Sequence, residues 1–300
     1  MGAARDRRRT ADAHVAGRAR AGRDVHVAAC PRRVRGRARP RAHAWPPSAA
    51  GSVRGSVPVT ARAQVARTVE LWRLFRNERD DPGAFYRRLA ADAVAGFERR
   101  YGSLAGARIA DVGCGPGYYT DAFRAAGAQV LPVEYDPDEL RLAGEAPAGA
   151  VLGDAERLPI RSGALDGVFC SNMLEHTPRP ATVIDELARV LRPGGWGYLS
   201  FTNWYSPWGG HEMSPYHLLG PERGVRWYER RHGTDHKHRV GENLFVTHIG
   251  DTVRTFQRHP DLCIRRVEPR YYPWAAPIMK VPVARELLAW NCVIRFERRR

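Results

Sequence analysis

The chain is poor in cysteine and has no long apolar run. Its five cysteines are scattered, odd in number and never spaced as C-x-x-C. This pattern disfavours both a disulfide scaffold and a zinc site. No run reaches the ~18 apolar residues that a membrane span requires. We therefore expect a globular protein of a reducing compartment, the cytoplasm.

Lysine is also scarce, since two lysines stand against 46 arginines. Of the net charge of +16, residues 1–60 carry +11, from 14 arginines and three aspartates. Residues 61–300 carry the remaining +5. The basic excess is thus mostly a property of the first 60 residues, and no nucleic-acid partner is expected for the rest.

Residues 1–60 are rich in Ala, Arg, Gly and Pro and hold almost no large apolar side chains. Such a segment cannot bury enough surface to offset its ordering entropy, so it is predicted to be a disordered basic tail. Two explanations stay open for it. One is a start codon assigned too far upstream, and the other is an arm that tethers the protein to RNA or to a membrane.

Residues 61–300 are predicted to form a single domain. Helices are predicted over residues 65–76 and 82–101, and from residue 107 short apolar strands alternate with helices. The predicted strands are 108–112, 129–134, 150–153, 167–172, 197–203, 262–270 and 289–297, and the predicted helices among them are 118–126, 137–143, 180–191 and 246–257. This alternation is typical of a parallel sheet with helices on both faces, which binds ligands at the carboxyl ends of its strands. Residues 204–245 interrupt it and are predicted to be an insertion, or lid, over those ends.

Three glycines follow the first predicted strand directly: Gly113, Gly115 and Gly117. A strand, a glycine turn and a helix bring backbone close to a nucleotide-like ligand. The spacing is G-x-G-x-G, whereas the dinucleotide fingerprint is G-x-G-x-x-G, and the Gly-Lys-Ser/Thr of a phosphate loop is absent. The turn therefore predicts a nucleoside ligand that lacks a pyrophosphate.

Polar residues follow the next three predicted strands. Glu134 ends the second strand, where a carboxylate can accept hydrogen bonds from both hydroxyls of a ribose. Asp154 follows the third strand and would accept from an adenine amino group or simply form a turn. His176 comes after the fourth strand, as a candidate base or as a packing and capping residue.

In combination, these segments resemble a known family. The stretches DVGCGPG, VEYD, GDAERLP, LDGVFCSNMLEH and LRPGG occur in this order and look like those of the class I S-adenosylmethionine-dependent methyltransferases. Within them, the ubiquinone/menaquinone-type group is most similar. The resemblance implies S-adenosyl-L-methionine as cofactor and a Rossmann-like sheet of seven strands, mostly parallel, with the last strand antiparallel.

The resemblance also implies a set of cofactor-binding residues. These are Asp111, Gly113 and Gly115 at the methionine end, Gly117 shaping the turn, Glu134 at the ribose, Tyr135 on the adenine, Asp154 and Ala155 at the adenine edge, and Ser171 near the sulfonium.

Methyl transfer from a sulfonium is an in-line displacement, for which an enzyme mainly supplies alignment and a dry site. An oxygen nucleophile also needs a base. His211 and His217 lie in a glycine-hinged loop after the fifth predicted strand, and they join His176 as candidate catalytic residues. Histidines that only hold a lid by hydrogen bonds are the alternative.

A metal site is not expected. His232, His236 and His238 are close in sequence, but Lys237 and neighbouring arginines crowd that segment and would repel a cation.

The predicted function is methylation of an oxygen atom on a small molecule, lipid or glycan. Aromatic residues near the C-terminus, such as Tyr272, Trp274 and Trp290, would line a lipid-like acceptor pocket, touch a membrane surface or pack in the core. Two other functions stay open: an RNA methyltransferase that uses the basic tail, and a non-catalytic nucleotide-binding protein on the same fold.

Overall fold

The computed structural model describes residues 61–77 and 81–300 of the chain. Residues 1–60, for which the sequence predicts a disordered tail, lie outside the described residues. The predicted domain, residues 61–300, is therefore described except for residues 78–80.

Seven strands form one sheet within the described residues. They are β1 (Arg108–Val112), β2 (Gln129–Glu134), β3 (Val151–Leu152), β4 (Leu165–Ser171), β5 (Leu191–Thr202), β6 (Leu262–Pro269) and β7 (Asn291–Arg298). Their order is β3-β2-β1-β4-β5-β7-β6. Neighbouring strands among β3, β2, β1, β4 and β5 pair in parallel. Strand β7 is antiparallel to both β5 and β6. The predicted fold class, a mostly parallel Rossmann-like sheet whose last strand is antiparallel, is confirmed.

Helices cover both faces of this sheet. They are α1 (Ala61–Arg76), α2 (Pro82–Tyr101), α3 (Tyr118–Ala125), α4 (Pro180–Val190), α5 (Pro221–His232), α6 (Ile249–Arg258) and α7 (Pro282–Leu288). The first three helices share one buried apolar cluster, and α4 and α6 share another. Adjacent residues of β1 point to opposite faces, so that Ile109 joins the first cluster and Ala110 the second.

The α2 helix docks through an apolar stripe that recurs every four residues in the sequence and is buried: Phe85, Leu89, Ala93 and Phe97. The Asp81 side chain accepts a hydrogen bond from the Ala84 N–H at 3.0 Å and caps the first turn. Phe97 is fully buried, and its ring lies 4.3 Å from that of Trp196 on β5. The segment before β1 is therefore part of the same core as the sheet.

Two predicted segments differ clearly from the structure. The predicted helix over residues 137–143 is only a 3-10 turn, Glu139–Arg141, because Gly144 adopts a φ of +108° that ends helical geometry. The strand predicted over residues 197–203 begins earlier, at Leu191, directly after α4. There a break in the register between β4 and β5 takes up the extra residues.

The helices α5 and α7 were not among the predicted elements. Both begin with a proline, which is favoured in the first turn of a helix. None of the helices in residues 61–77 and 81–300 is long and apolar enough to cross a membrane.

Candidate active site

A glycine turn follows β1 at the carboxyl end of the sheet. Gly113, Gly115 and Gly117 all have positive φ values of +69°, +49° and +87°, which only glycine adopts cheaply. A Cβ atom at Gly113 would lie 2.8 Å from the Met173 side chain, whereas one at Gly115 would meet nothing within 4 Å. The backbone at Gly115 therefore borders open space, in which a ligand can approach it closely.

Glu134 joins this turn to the end of β2. Its carboxylate accepts hydrogen bonds from the N–H of Gly115 at 2.8 Å, of Tyr135 at 2.7 Å and of Asp136 at 3.2 Å. A carboxylate offers about four lone-pair positions, so three are already used. Glu134 can take a ribose hydroxyl in the remaining position. It can take both hydroxyls, as the sequence suggests, when one of these three N–H groups is released.

The end of β3 lies beside Glu134. The Gly153 N–H donates to the Glu134 carbonyl at 2.8 Å, and Asp154 accepts from the Glu156 N–H at 2.8 Å, as a turn-forming aspartate does. Tyr135 is 76% exposed, which leaves its ring free to stack on a ligand. The sequence-predicted residues Glu134, Tyr135, Asp154 and Ala155 therefore share one edge of the site.

Asp111 is placed differently from the other acids. It is 1% exposed, and its carboxyl accepts a hydrogen bond from the Thr120 hydroxyl at 2.7 Å. Burial raises the pKa of Asp111 to about 7, although this hydrogen bond acts in the opposite direction. Asp111 thus ties β1 to α3 beneath the glycine turn, and its carboxyl is not turned toward open space.

The raised pKa makes the stability of the protein dependent on pH. The ordinary pKa of an aspartate is 3.8. Because the pKa of Asp111 is higher in the folded state, this group contributes most to the free energy of unfolding below pH 3.8. The contribution is lost as the pH rises to about 7. Asp111→Asn carries no charge at any pH. We therefore expect the stability of the variant relative to the wild type to increase as the pH rises from 5 to 8. Urea unfolding without ligand measures this difference at both pH values. An equal difference at both pH values would contradict this expectation.

A network of buried polar side chains lies at the ends of β4, β5, β6 and β7. The Ser200 hydroxyl donates to Ser171 at 3.2 Å, and Asn172, at a φ of +52°, accepts from Arg270 and from Asn291, each at 2.8 Å. Sequence reasoning identified Ser171 but missed the other members. Arg270 could not be distinguished in the sequence among 46 arginines.

Arg270 is the centre of this network. It is 6% exposed and donates to Asn172, to the Ser200 hydroxyl at 3.1 Å and to the Tyr119 hydroxyl. Arg270→Met leaves these groups without their donor, so we expect the free energy of unfolding to fall by about 2–4 kcal/mol. Urea denaturation measures it. The control Arg258→Met, an exposed residue at the end of α6, should cost about 0.5 kcal/mol or less. Equal losses in the two variants would contradict the role of Arg270.

Three half-buried histidines meet at the carboxyl ends of β4 and β5. His176 ends a 3-10 turn after β4, His211 begins another after β5, and His238 lies in the loop after α5. Their ring centroids are 5.1, 5.3 and 4.3 Å apart. Burial, with His238 and His176 nearby, lowers the pKa of His211 to about 3 and keeps its ring uncharged at neutral pH. Sequence reasoning named His176 and His211 for this site and placed His238 elsewhere.

The other histidines stay apart from this cluster. His217 is 1% exposed and its Nε2 bonds to the Ser206 carbonyl at 3.0 Å, which argues against contact with an acceptor. His232 stacks on Tyr228 at 4.8 Å, and His236 bonds through Nδ1 to the His238 carbonyl. The trio considered for metal from the sequence, His232, His236 and His238, is therefore not assembled.

Residues 204–245 reach over the strand ends. Lys237 pairs with Glu139 after β2, and the Phe75 ring of α1 lies 5.2 Å from that of Trp208. Met173, which contacts Gly113, accepts a hydrogen bond from the His176 N–H at 2.9 Å. The three residues from Met173 to His176 rise about 6 Å. The 3-10 turn that ends at His176 therefore starts from a residue next to the glycine turn.

Comparison with known proteins places these features in context. A family model described as a methyltransferase domain matches residues 110–199. An uncharacterized methyltransferase of Mycobacterium marinum is 40% identical over 243 residues, which are 78% of this chain and 94% of that protein. One from Mycolicibacterium vanbaalenii is 41% identical over the same shares. Among solved structures, an S-adenosylmethionine dependent methyltransferase from Mesorhizobium loti is 21% identical, with a TM-score of 0.47, over 65% of this chain and 93% of that one.

Proposed function

Because this chain belongs to the S-adenosylmethionine-dependent methyltransferases, we propose that it methylates an oxygen atom of a small molecule, lipid or glycan. The acceptor would lie at the carboxyl ends of β4 and β5, beside the histidine cluster. The bound cofactor supplies a methyl group on a sulfonium sulfur. Every other task falls to the chain itself: holding both ligands, excluding water and removing a proton from the acceptor.

The cofactor fits the edge formed by the glycine turn and the ends of β2 and β3. The open space at Gly115 and the one remaining acceptor position on Glu134 support this placement. We assign the ribose to Glu134, the adenine face to Tyr135 and the adenine edge to Asp154 and Ala155. Ser171 would lie near the sulfonium, and Asp111 would support the turn from below.

Replacing Glu134 by Gln tests this assignment. A hydrogen bond to a charged acceptor contributes about 1.5–3 kcal/mol, so Glu134→Gln should weaken S-adenosylhomocysteine binding about 10- to 100-fold. Calorimetric titration measures the affinity. Asp136→Asn is the matched control, because it makes the same change two residues along the chain, at an exposed position, and should leave the affinity unchanged. Equal affinities of all three proteins would contradict the ribose assignment.

We assign to His211 the removal of the proton from the acceptor hydroxyl. It adopts a φ of +50°, which is costly for a residue with a side chain, and such strain tends to occur at functional sites. Its buried Nδ1 has no hydrogen-bond partner in the described residues. A low pKa makes its ring a weak base. A weak base still suffices here, because an attacking hydroxyl becomes strongly acidic as its new bond forms.

The acceptor is tested with pairs of compounds that differ only in a hydroxyl or an amine. The full chain, given S-adenosylmethionine labelled in its methyl group, should transfer label to the hydroxyl members. His211→Ala should slow the transfer about 100-fold or more with little change in cofactor affinity. His232→Ala, a surface control, should retain the rate. Transfer confined to amines or to RNA would contradict the proposal.

Several finer expectations rest on this function. Residues 204–245 would close over the site as a lid and keep it dry. We also propose that the sequence resemblance to the ubiquinone/menaquinone-type group extends to the acceptor, which would be hydroxylated and lipid-like. The four cysteines in the described part of the chain are free and buried, which supports action in the cytoplasm.

A further inference from the structure

The histidine cluster has the composition of a metal site. His176, His211 and His238 each offer one ring nitrogen, and the three atoms all lie within 4.8 Å of one another. Zinc bound to histidine has bonds of about 2.0–2.1 Å, and tetrahedral geometry then separates the nitrogens by about 3.3 Å. Small side-chain rotations would bring the three rings to that spacing.

Hydrogen bonds around the cluster fix two of the rings for metal binding. The Nδ1 atom of His176 lies 2.7 Å from the Asn243 carbonyl, and that of His238 lies 2.8 Å from a Glu212 carboxylate oxygen. Both oxygens only accept, so each Nδ1 carries the hydrogen and each Nε2 keeps a free lone pair. Metal-binding histidines are held in this way by a carbonyl or a carboxylate on their other nitrogen.

The third ring, that of His211, has one nitrogen without such a partner. The buried Nδ1 of His211 makes no hydrogen bond within residues 61–77 and 81–300. His211 has a positive φ of +50°. A cation bound in the cluster would give this nitrogen a partner.

The charges near the cluster also admit a cation. Lys237, which from the sequence was expected to repel a metal, is paired with Glu139. Arg239 is exposed, and Glu212 contacts His238 directly. A carboxylate is therefore in direct contact with the cluster, and Glu139 partly neutralises Lys237.

We propose that His176, His211 and His238 bind one divalent transition-metal ion of the zinc type and leave a coordination position for the acceptor oxygen. Three histidines with one open position are typical of catalytic zinc sites. This inference rests on the proposed oxygen methylation and replaces direct proton removal by His211 with activation by the metal. The expectation of no metal is thereby revised.

The chemistry balances without an oxidant or reductant. The acceptor hydroxyl binds to the metal, which lowers its pKa, and its proton leaves to solvent. The oxygen lone pair then forms a bond to the methyl carbon while the carbon–sulfur bond breaks, and that electron pair stays on sulfur. The products are the methyl ether or ester, S-adenosylhomocysteine and one proton.

The test measures metal binding apart from activity. The full chain is freed of metal with a chelator and titrated calorimetrically with Zn²⁺, and Co²⁺ is added in parallel for its visible absorption. We expect about one ion per chain and the Co²⁺ spectrum of a tetrahedral site. His176→Ala and His238→Ala should each lower the affinity for Zn²⁺ by more than the roughly 10- to 100-fold that we expect for Glu212→Gln. His232→Ala, outside the cluster, should bind like the wild type.

Titration of S-adenosylhomocysteine into the same metal-free protein separates the two proposals. Zn²⁺ affinity that is absent, or is the same in the wild type and in His176→Ala, would overturn the metal site. If S-adenosylhomocysteine still binds in that case, the proposed function stands with a histidine base. If neither ligand binds, the proposed function falls as well.

Discussion

Gly115→Leu is expected to lower the affinity for S-adenosylhomocysteine by about 100-fold or more. A side chain at this position would enter the open space beside the glycine turn, because an added Cβ meets nothing within 4 Å. The added side chain therefore starts into space free of protein atoms, where it would contact a bound ligand. Clashes in a close-packed site cost about 1–3 kcal/mol or more, and about 2.7 kcal/mol corresponds to 100-fold. Calorimetric titration measures the change.

Gly106→Leu is the matched control for this variant. Gly106 also has a positive φ, +76°, and an added Cβ there also meets nothing within 4 Å. Both variants carry the same backbone strain of about 1–2 kcal/mol, but Gly106 lies before β1, at the opposite end of the strand. The control should bind S-adenosylhomocysteine like the wild type. Similar losses in both variants would mean that strain, rather than contact with the ligand, explains the effect.

Phe97→Ala lowers the free energy of unfolding by about 3–5 kcal/mol, the usual cost of emptying a buried aromatic site. The Phe97 ring is fully buried and lies 4.3 Å from Trp196, 5.7 Å from Phe123 and 6.2 Å from Phe169. These contacts attach α2 to α3 and to the sheet. Urea denaturation measures the loss.

The control for Phe97 is Leu287→Ala on α7, where the side chain is 53% exposed. Surface substitutions of this kind change stability by about 0.5 kcal/mol or less. A loss below about 1 kcal/mol in Phe97→Ala would contradict the docking of α2. Such a result would also mean that the helices before β1 do not pack on the methyltransferase core.

Local patterns were enough to predict most of the sheet and one edge of the site. The strands β1, β2 and β4 are short apolar runs bounded by turns, and Glu134 is the last residue of β2. The glycine turn depends on backbone conformation within five residues, so its sequence carries the whole signal. The stripe of α2 repeats every four residues and is similarly local.

The rest of the site depends on contacts between distant segments. Arg270 and Asn172 are 98 residues apart in sequence, and His238 reaches His176 only through the course of the loop after α5. No spacing rule connects such residues. Asp111 matched the pattern for a ligand contact, but its burial follows from Thr120 on the next helix. The length of the 3-10 turn after β2 was likewise decided by one glycine conformation.

A crystal structure of the full chain with S-adenosylhomocysteine tests the account most directly. We expect a ribose hydroxyl within hydrogen-bond distance of the Glu134 carboxylate, and the adenine beside Tyr135 and Asp154. The sulfur atom should face the cluster of His176, His211 and His238. A ligand bound away from the glycine turn, or a sulfur atom turned away from the histidines, would contradict the proposed site and its chemistry.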